Sequence, residues 1–469
     1  MLCNGFAAAP PGTGRMAERL ARSWLARPIT DPALALACLI GLALAVGGGG
    51  VSAAFGNLAV QLFALAILAV HAPLAGAFAR RGPRALLALL AASCLLPLAQ
   101  LVPLPPVLWT VLPGRDLVAQ SLALAGGPGW FPMSVAPART LVAFLGVIAP
   151  ATVVIVGCGL PPARLVALQV MLVVFGLVVA LFGTTHLLDP RWGDLYASVR
   201  PLPGVLVGTF ADRNAAALFL DVCLLFLVGL PDGRLSLSGK AVRATAGAFL
   251  ALCVILTGSR TGMVLLAAPG FLLLWRLAGT VLSRSDRATS RPRLVWATGI
   301  LLTIVVASLA VFSSERGQAS LARFESGDEM RAEMREDAGF AAERYWPVGA
   351  GMGTFDEVFQ IDESLEYVSP RTAGRAHMDY LELAIEAGLA GLLLAAAWLA
   401  WAGLSGSRSV QRPGAWPARA AALAIAAIAL QSLLAFPLRS QAMLCVAALA
   451  VVLLARSPVS TTAREGDAR

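Results

Sequence analysis

Three segments at the edges of apolar runs carry residues that could do chemistry. Arg213 lies in Gly-Thr-Phe-Ala-Asp-Arg-Asn (208–214), Arg260 lies in Leu-Thr-Gly-Ser-Arg (256–260), and His377 begins a segment that contains several carboxylates. An ionised side chain at the centre of a membrane helix costs about 2.5–3.5 kcal/mol on insertion scales, so such residues are rare without a function. We therefore take these three residues as the catalytic candidates.

Arg213 has the surroundings of an anion-binding residue. Gly208 precedes it, and Asp212 and Asn214 flank it inside an apolar segment. We therefore expect a helix to begin or to be broken at this point. The amino end of a helix attracts anions, and Asn214 would add a polar contact to a substrate. The alternative is that Asp212 and Arg213 neutralise each other at the membrane interface.

Arg260 has no acidic residue within ten positions, while Thr257, Ser259 and Thr261 surround it with hydroxyl groups. A guanidinium group without a carboxylate neighbour favours an anionic ligand. We therefore predict that Arg260 binds an anion and that Ser259 contributes to the same site. The alternative is that the side chain extends to lipid headgroups.

His377 is followed by Asp379, Glu382 and Glu386, whose spacing places the three carboxylates on one face of a helix. Carboxylates are not left against lipid, so this face is expected to turn toward a polar cavity or toward the arginines, and all three carboxylates are predicted to bind the substrate. Imidazole titrates near neutral pH and can take a proton from a hydroxyl group. A lone histidine is more often structural, but the acidic face beside it favours a catalytic role.

A glycine-rich segment, Pro-Val-Gly-Ala-Gly-Met-Gly-Thr-Phe (347–355), precedes this histidine. Gly351 and Gly353 allow the backbone to approach a ligand closely, or alternatively to turn tightly against the membrane domain. The segment lacks the Lys-Ser/Thr pair of a phosphate-binding loop, so nucleotide hydrolysis is not expected.

The composition excludes a soluble globular protein. Of 469 residues, 58% are hydrophobic and 13% are charged, whereas soluble domains average roughly 45–50% and 25%. The net charge of +9 is explained by membrane topology, so nucleic acid is not an expected partner. The cysteines have no CxxC spacing and the three histidines are far apart, so neither disulfides nor a metal site are predicted.

The chain is predicted to be an all-α polytopic membrane protein with about twelve transmembrane helices. A span needs about 20 apolar residues. The predicted spans are 32–48, 57–76, 85–102, 139–158, 163–183, 203–230, 241–257, 261–279, 294–312, 378–403, 417–435 and 440–456.

Successive loops alternate between many and few basic residues, which is the pattern of the positive-inside rule. Both termini, 1–31 and 457–469, are therefore expected in the cytoplasm. Between the termini, the prediction places transmembrane helices 1–9 over 32–312, a long periplasmic loop over 313–377, and transmembrane helices 10–12 over 378–456.

The long loop is acidic, since residues 313–379 hold 14 of the 27 Asp and Glu residues. It is predicted to contain an amphipathic helix, because its apolar residues recur at helical spacing. They are Met330, Met334, Ala338, Ala341 and Tyr345. A second external loop, 103–138, contains Trp109 and Trp130 and is predicted to lie at the membrane interface.

The order of these motifs resembles the O-antigen ligase and O-antigen polymerase superfamily. The matching segments are 208–214, 256–260, 347–355, Ala-His-Met-Asp-Tyr-Leu-Glu-Leu-Ala-Ile-Glu-Ala-Gly-Leu-Ala-Gly (376–391) and Phe-Pro-Leu-Arg (436–439). The resemblance implies a GT-C-like fold and a bacterial inner-membrane glycosyltransferase whose site faces the periplasm. It implies a donor glycan on undecaprenyl pyrophosphate, an acceptor glycan or lipid, and no metal or other cofactor.

Carried over by position, Arg213 and Arg260 match the arginines that hold the pyrophosphate, and His377 matches the catalytic histidine. Glu386 matches a residue to which we assign orientation. Two positions depart from the family pattern, since Met378 and Asp212 stand where the family usually has asparagine. These departures put in doubt the contacts to the acceptor and the strength with which Arg213 binds phosphate.

Two other functions remain open. Twelve spans with both termini inside also fit a transporter of an anionic solute, although the long external loop and the lack of internal repeats disfavour it. The departures from the family pattern also fit an inactive member that assists assembly. Within the enzyme class, the ending Phe-Pro-Leu-Arg (436–439) resembles that of exopolysaccharide members, and this resemblance favours a polymerase of a secreted polysaccharide over a ligase.

Overall fold

The computed structural model describes residues 29–50, 53–127, 129–188, 204–231, 236–282, 329–364 and 374–456. The predicted span 294–312, most of the N-terminal segment 1–31 and the C-terminal segment 457–469 lie outside these residues.

The described residues are almost entirely helical. The helices are α1 Pro32–Val46, α2 Ala54–Val70, α3 Ala72–Arg81, α4 Arg84–Gln100, α5 Pro106–Trp109, α6 Asp116–Leu124, α7 Pro137–Gly157, α8 Pro162–Leu188, α9 Arg213–Gly229, α10 Leu237–Leu256, α11 Arg260–Leu265, α12 Ala267–Leu282, α13 Glu329–Tyr345, α14 Phe355–Phe359, α15 Asp379–Val410, α16 Trp416–Gln431 and α17 Gln441–Ala455. A 3₁₀ turn spans Pro437–Arg439, and strands β1 Pro103–Leu104 and β2 Phe131–Pro132 pair antiparallel.

Local chemistry fixes where many of these helices begin. The Asp31 carboxylate accepts hydrogen bonds from the backbone N–H groups of Ala33 and Leu34, and the Ser440 hydroxyl accepts one from Met443. Proline occupies the first turn of α1, α7 and α16, where its missing N–H leaves no bond unmade. The helices therefore begin close to the predicted starts of the spans.

The predicted count of twelve spans is not confirmed. Within the described residues, five helices are long and apolar enough to cross a membrane, or six if α2 and α3, which bend by 78°, form one broken span. Several other apolar helices are shorter than predicted. The predicted span 203–230 illustrates the reason, because Gly204 and Gly208 adopt positive φ angles and the helix begins only at Arg213.

Helix α9 lies at the centre of the bundle. Nearly all of its residues from Ala215 to Leu227 are buried, and it packs against α8, α10 and α16. Its apolar surface is covered by other helices instead of lipid, whereas the candidate spans around it leave much of their surface uncovered. Residues at the start of α9 are therefore enclosed by other elements.

One end of the bundle brings together several helix ends that are distant in sequence. Backbone N–H groups of Ala211, Leu206 and Asp379 donate to the carbonyls of Gly48 (3.3 Å), Leu256 (3.2 Å) and Ser432 (3.0 Å). These contacts place the starts of α9 and α15 beside the carboxyl ends of α1, α10 and α16. We call this the site end.

The opposite end, which we call the basic end, is stabilised by arginines. Arg243 and Arg276 donate to the carbonyls of Val228 and Leu230 at the carboxyl end of α9. Arg419 donates to the carbonyls of Ser409, Val410 and Arg412 at the end of α15. Cations at the carboxyl ends of helices pair with otherwise unbonded carbonyl groups.

The predicted amphipathic helix is confirmed as α13. Ala338, Ala341 and Tyr345 on one face of α13 are buried in a small second core with Phe355 and Ile385, and Met334 packs against its edge. This core fixes α13 and α14 against the beginning of α15. The acidic segment therefore packs on the site end instead of standing apart from it.

The loop 103–138 differs from its prediction in one respect. Trp130 is 70% exposed, whereas Trp109 is fully buried. The Trp109 indole donates to the Gly129 carbonyl at 2.9 Å, and its ring lies 5.3 Å from that of Phe131. Trp109 is therefore a core residue of this loop, because a buried indole is tolerated where its N–H finds an acceptor.

Candidate active site

Arg213 is the first residue of α9, as the sequence predicts. The Asp212 carboxylate caps the helix by accepting hydrogen bonds from the backbone N–H groups of Asn214 and Ala215, each at 3.0 Å. Gly208 adopts a φ of +59° in the loop before it, which a residue with a side chain rarely does. The carboxylate that departs from the family pattern therefore has a structural role at the start of this helix.

Arg260 is the first residue of α11. The Ser259 hydroxyl caps this helix by accepting from the Gly262 N–H at 3.2 Å. A Cβ atom at Gly262 would overlap the side chain of Ala217 in α9. Glycine at this position therefore allows α11 to approach α9 closely, which brings the starts of the two helices together.

A side-chain hydrogen bond joins the two arginine-bearing helices. The Ser259 hydroxyl donates to the Asn214 amide oxygen at 2.8 Å. Ser259 is buried and Asn214 is half-buried. Arg213 and Arg260 are therefore attached to neighbouring helix starts at the same end of the bundle.

The carboxyl end of α16 connects this pair to the segment of His377. The Gln431 amide nitrogen donates to the Asn214 carbonyl at 3.1 Å, and the Ser432 hydroxyl donates to the Asp379 carboxylate at 2.9 Å. Adjacent residues of one helix end thus contact the starts of α9 and α15. All three predicted catalytic residues lie beside helix ends joined by these bonds.

His377 has an uncommon backbone conformation. Its φ angle is +52°, in the left-handed region that favours glycine. The imidazole ring is half-buried, and its centre lies 5.0 Å from that of Phe436 in an edge-to-face contact. The following helix begins at Asp379, close to the predicted start of the tenth span.

The three carboxylates of α15 share one cation. The Arg439 guanidinium lies 3.5 Å from the Asp379 carboxylate, 3.1 Å from that of Glu382 and 2.7 Å from that of Glu386. Arg375 lies 3.4 Å from Glu382 as well. The prediction of a single acidic face is confirmed, and the arginines that meet it are Arg439 and Arg375.

Arg439 is held as a cation by these neighbours. Its side chain is only 15% exposed. Burial by itself lowers the pKa of a guanidinium, but the carboxylates of Glu382, Glu386 and Asp379 outweigh it and raise the pKa of Arg439 above its usual range. Arg439 therefore remains charged and neutralises part of the acidic face.

The glycine-rich segment packs against protein. A Cβ atom at Gly351 would overlap the Ser134 hydroxyl, and one at Gly353 would lie 3.0 Å from the Arg139 carbonyl. The N–H of Gly351 donates to the Glu386 carbonyl at 2.8 Å. This packing favours the tight-turn interpretation, and a contact of these glycines with substrate remains a prediction.

A buried arginine reinforces this contact. Arg115 donates to the carbonyls of Pro113, Met133 and Gly349, and its guanidinium lies 5.4 Å from the centre of the Tyr345 ring. Burial lowers the pKa of Arg115 to about 10, with Tyr345 acting in the opposite direction. Arg115 therefore ties the loop 103–138 to the glycine-rich segment.

Sequence reasoning did not assign a role to Arg439, Gln431 or Ser432. Arg439 was visible as part of the segment 436–439, and three carboxylates on one apolar helix require a cation, so charge balance could have identified it. Gln431 and Ser432 carry no comparable signal, because their role arises only from the packing of α16 against α9 and α15.

No group of three or more His, Cys, Asp and Glu side chains within the described ranges is arranged to hold a metal ion. The acidic face of α15 is occupied instead by Arg439 and Arg375. The described site end also carries the hydroxyl of Ser259, the amide of Asn214 and the guanidinium groups of Arg213 and Arg260, which are groups of the kinds that bind anions through hydrogen bonds and charge.

A family model described as O-antigen ligase matches residues 245–396. The match includes Arg260, the glycine-rich segment and His377, whereas Arg213 and Arg439 lie outside it. No curated protein matches the chain significantly.

Proposed function

We propose that this membrane protein transfers or polymerises a glycan, because residues 245–396 match a family model described as O-antigen ligase. The proposed donor is a glycan on undecaprenyl pyrophosphate, and the acceptor is a hydroxyl group of another glycan or lipid. The reaction is proposed to need no metal, to take place on the periplasmic side of the bacterial inner membrane, and to invert the anomeric centre.

The hydrogen bond between Ser259 and Asn214 carries this proposal. It ties together two helix starts whose first residues, Arg213 and Arg260, are both cations. A pyrophosphate group carries negative charge that two guanidinium groups can bind with bidentate hydrogen bonds. Asn214 and Ser259 are proposed to orient these cations and to contact the donor.

The proposed reaction is a single displacement. The acceptor oxygen attacks the anomeric carbon, and the bond from that carbon to the pyrophosphate oxygen breaks. The electron pair leaves with undecaprenyl pyrophosphate, while the proton of the acceptor hydroxyl passes to His377. Arg213 and Arg260 stabilise the charge that develops on the leaving group, which is the form of electrostatic stabilisation that contributes most in many enzymes.

The proposed orientation follows from the two ends of the bundle. Arg243, Arg276 and Arg419 lie at the basic end, which the positive-inside rule assigns to the cytoplasm. The site end then faces the periplasm, where the candidate catalytic residues would meet a donor already carried across the membrane. Both termini are proposed to be cytoplasmic.

The proposal is tested with Arg213→Ala, Arg260→Ala and His377→Ala. Each is expected to lower the transfer rate by about 10²-fold or more, the typical effect of removing one group that stabilises the transition state. Purified protein in liposomes is given an undecaprenyl-pyrophosphate-linked glycan, and release of undecaprenyl pyrophosphate is measured. Arg139→Ala is the matched control, because its guanidinium pairs with Glu357 and Asp356 in α14 and not with the residues proposed to act on the substrate.

The same experiment distinguishes the other functions. Movement of an anionic solute without consumption of the donor would establish a transporter. Unchanged polysaccharide output from all three variants in cells would indicate an inactive assembly partner. Deletion of the gene separates the two enzymes, since loss of a ligase leaves long lipid-linked chains and loss of a polymerase leaves single repeat units. We propose the polymerase.

A further inference from the structure

His377 is the only residue other than glycine, among the residues that the structure describes, with a positive φ angle. A left-handed backbone is costly for a residue with a Cβ atom and persists where neighbouring contacts enforce it. Such conformations cluster at functional sites. The hydrogen bonds of the backbone on either side of His377 are therefore the contacts that would enforce its left-handed conformation.

The backbone is fixed through N–H groups one residue before His377 and two residues after it. On the amino side, the fully buried Ala376 donates to the Glu382 carboxylate at 2.9 Å. On the carboxyl side, Asp379 donates to the carbonyls of Ser432 at 3.0 Å and Ala435 at 3.2 Å. Among the residues that the structure describes, the carboxylate of Glu382 is therefore the side chain seen to bond to the backbone immediately before the histidine.

Glu382 is itself held in place. Its side chain is 0% exposed, and the oxygen that does not bind Ala376 faces Arg439 at 3.1 Å and Arg375 at 3.4 Å. One oxygen is thus used by the backbone and the other by two cations. Neither oxygen is available to a bound glycan.

We propose that Glu382 is a positioning residue for His377, acting through the backbone of Ala376, with Arg439 fixing the carboxylate. This inference rests on the proposed function, and it replaces the substrate contact that the sequence predicts for Glu382. The imidazole reaches the acceptor hydroxyl only while its backbone keeps the left-handed conformation. Releasing Ala376 allows the backbone to relax and the ring to move.

Substitution by glutamine separates hydrogen bonding from charge. Glu382→Gln keeps an oxygen that can accept from Ala376, whereas Glu382→Ala and the volume-matched Glu382→Leu do not. The charges allow this change, because three carboxylates face two guanidinium groups and the loss of one leaves two of each sign. The glutamine variant is therefore expected to keep the fold.

Kinetics give the first readout. Glu382→Ala and Glu382→Leu are expected to lower kcat about 10²-fold, the effect of a displacement of about 1 Å in a reacting group. KM for the lipid-linked donor should change less than threefold, because the arginines that bind it are untouched. Glu382→Gln should restore kcat to within tenfold of the unmodified protein. A raised KM with unchanged kcat would overturn the proposal and restore the substrate contact.

Histidine NMR gives a readout that does not depend on turnover. The chain has only three histidines, His71, His186 and His377, so ¹³C-labelled histidine gives three ring signals, and His377→Ala assigns one of them. That signal should shift in Glu382→Ala and Glu382→Leu and stay in place in Glu382→Gln. His71 bonds to the Ile29 carbonyl at 2.9 Å, so its unchanged signal verifies folding.

Glu386→Ala is the matched control. Glu386 lies on the same face of α15, is equally buried and shares Arg439, but its second oxygen accepts from Phe355 at 3.4 Å instead of from the histidine segment. Its removal should leave the His377 signal in place. A shift equal to that of Glu382→Ala would overturn the proposal, because it would reflect the charge of the cluster alone.

The two proposals fail in distinguishable ways. If His377→Ala turns over normally, the proposed catalytic role is wrong whatever Glu382 does. If His377→Ala is inactive while Glu382→Ala and Glu382→Leu keep full kcat and an unshifted His377 signal, only the positioning role is wrong.

Discussion

The hydroxyl of Ser259 has two tasks at once. It accepts a hydrogen bond from the Gly262 N–H, which caps α11, and it donates to the Asn214 amide, which reaches α9. A hydroxyl group can do both because it has one donor and two acceptor positions. The relative position of Arg213 and Arg260 therefore depends on the single hydroxyl group of Ser259.

Ser259→Ala removes both bonds. Loss of a helix cap lowers the free energy of unfolding by about 1 kcal/mol, and loss of the bridge should let the two arginines separate. We expect KM for the lipid-linked donor to rise by about tenfold, equivalent to about 1.4 kcal/mol of binding. Steady-state kinetics on the purified protein measure this change.

Ser236→Ala provides the control for that variant. The Ser236 hydroxyl caps α10 by accepting from Gly239 at 3.2 Å, the same geometry as Ser259, but it is exposed and lies at the other end of the helix from Leu256. It should lose comparable stability with unchanged KM. An equal rise of KM in both variants would mean that capping alone explains the effect.

At the scale of residues, the sequence predicts helix starts but not their partners. Gly208 and Asp212 indicate a start at Arg213, and Ser259 is a common capping residue. The bond from Ser259 to Asn214 spans 45 positions, and nothing in local spacing determines such a contact. Tertiary packing alone brings these two residues together.

Among the elements, α15 and the glycine-rich segment fit each other through a break in the helix. Gly388 has non-helical backbone angles, with φ at +55°. The carbonyls of Ile385 and Glu386 accept from Ala350 and Gly351 at 2.7 and 2.8 Å. The glycine-rich segment thus bonds to the backbone of α15 beside its break, so this loop is fixed to the helix that carries the acidic face.

Gly388→Ala should disrupt this junction. A Cβ atom there would overlap the Pro347 carbonyl, and the positive φ adds about 1–3 kcal/mol of strain. We expect a clear fall in the midpoint of thermal unfolding in detergent, together with loss of transfer activity.

Gly403→Ala is the control within the same helix. No atom lies within 4 Å of a Cβ built at Gly403, and alanine favours a helix over glycine by about 1 kcal/mol. The unfolding midpoint should stay the same or rise. If both variants unfolded at the same temperature, the junction would not contribute to stability.

The sequence predicts the presence of these elements more accurately than it predicts their lengths. The heptad-like spacing in 330–345 predicts α13 because apolar side chains recur on one face. The span 203–230 was predicted too long, because hydropathy does not distinguish an apolar loop from an apolar helix. Gly204 and Gly208, which turn the backbone, were the local sign that the helix starts later.

Over the whole molecule, the two ends of the bundle differ in chemistry. The basic end uses Arg243, Arg276 and Arg419 to bond the carbonyls that end α9 and α15. The site end instead gathers helix starts, with Arg213 and Arg260 as their first residues. In the proposed orientation, the basic end lies on the cytoplasmic side and the site end on the periplasmic side.

Cysteine labelling tests the orientation. Ser121→Cys in α6 and Ser407→Cys in α15 are a matched pair, because both hydroxyls are exposed and both bond to a carbonyl of their own helix. A membrane-impermeant maleimide should label Ser121→Cys in spheroplasts and label Ser407→Cys only after the membrane is permeabilised. The unmodified chain gives the background from its native cysteines, and the reverse pattern would place the site end in the cytoplasm.

The order of the apolar segments and the alternation of basic loops could be predicted from the sequence, because both depend on composition over about 20 residues. The pairing of Arg439 with Asp379, Glu382 and Glu386 could not. It joins the 3₁₀ turn Pro437–Arg439 to α15, about 55 positions earlier in the chain. The sequence shows the unbalanced charges but not which cation meets them.

The dependence of α15 on Arg439 has a consequence for biosynthesis. The chain emerges from the ribosome amino end first, so the three carboxylates reach the membrane before the guanidinium that neutralises them. Until the final hairpin of α16 and α17 is inserted, α15 exposes acidic side chains that lipid disfavours. A translation product that stops before residue 439 is therefore expected to contain all of α15 but to lack the guanidinium group that pairs with its three carboxylates.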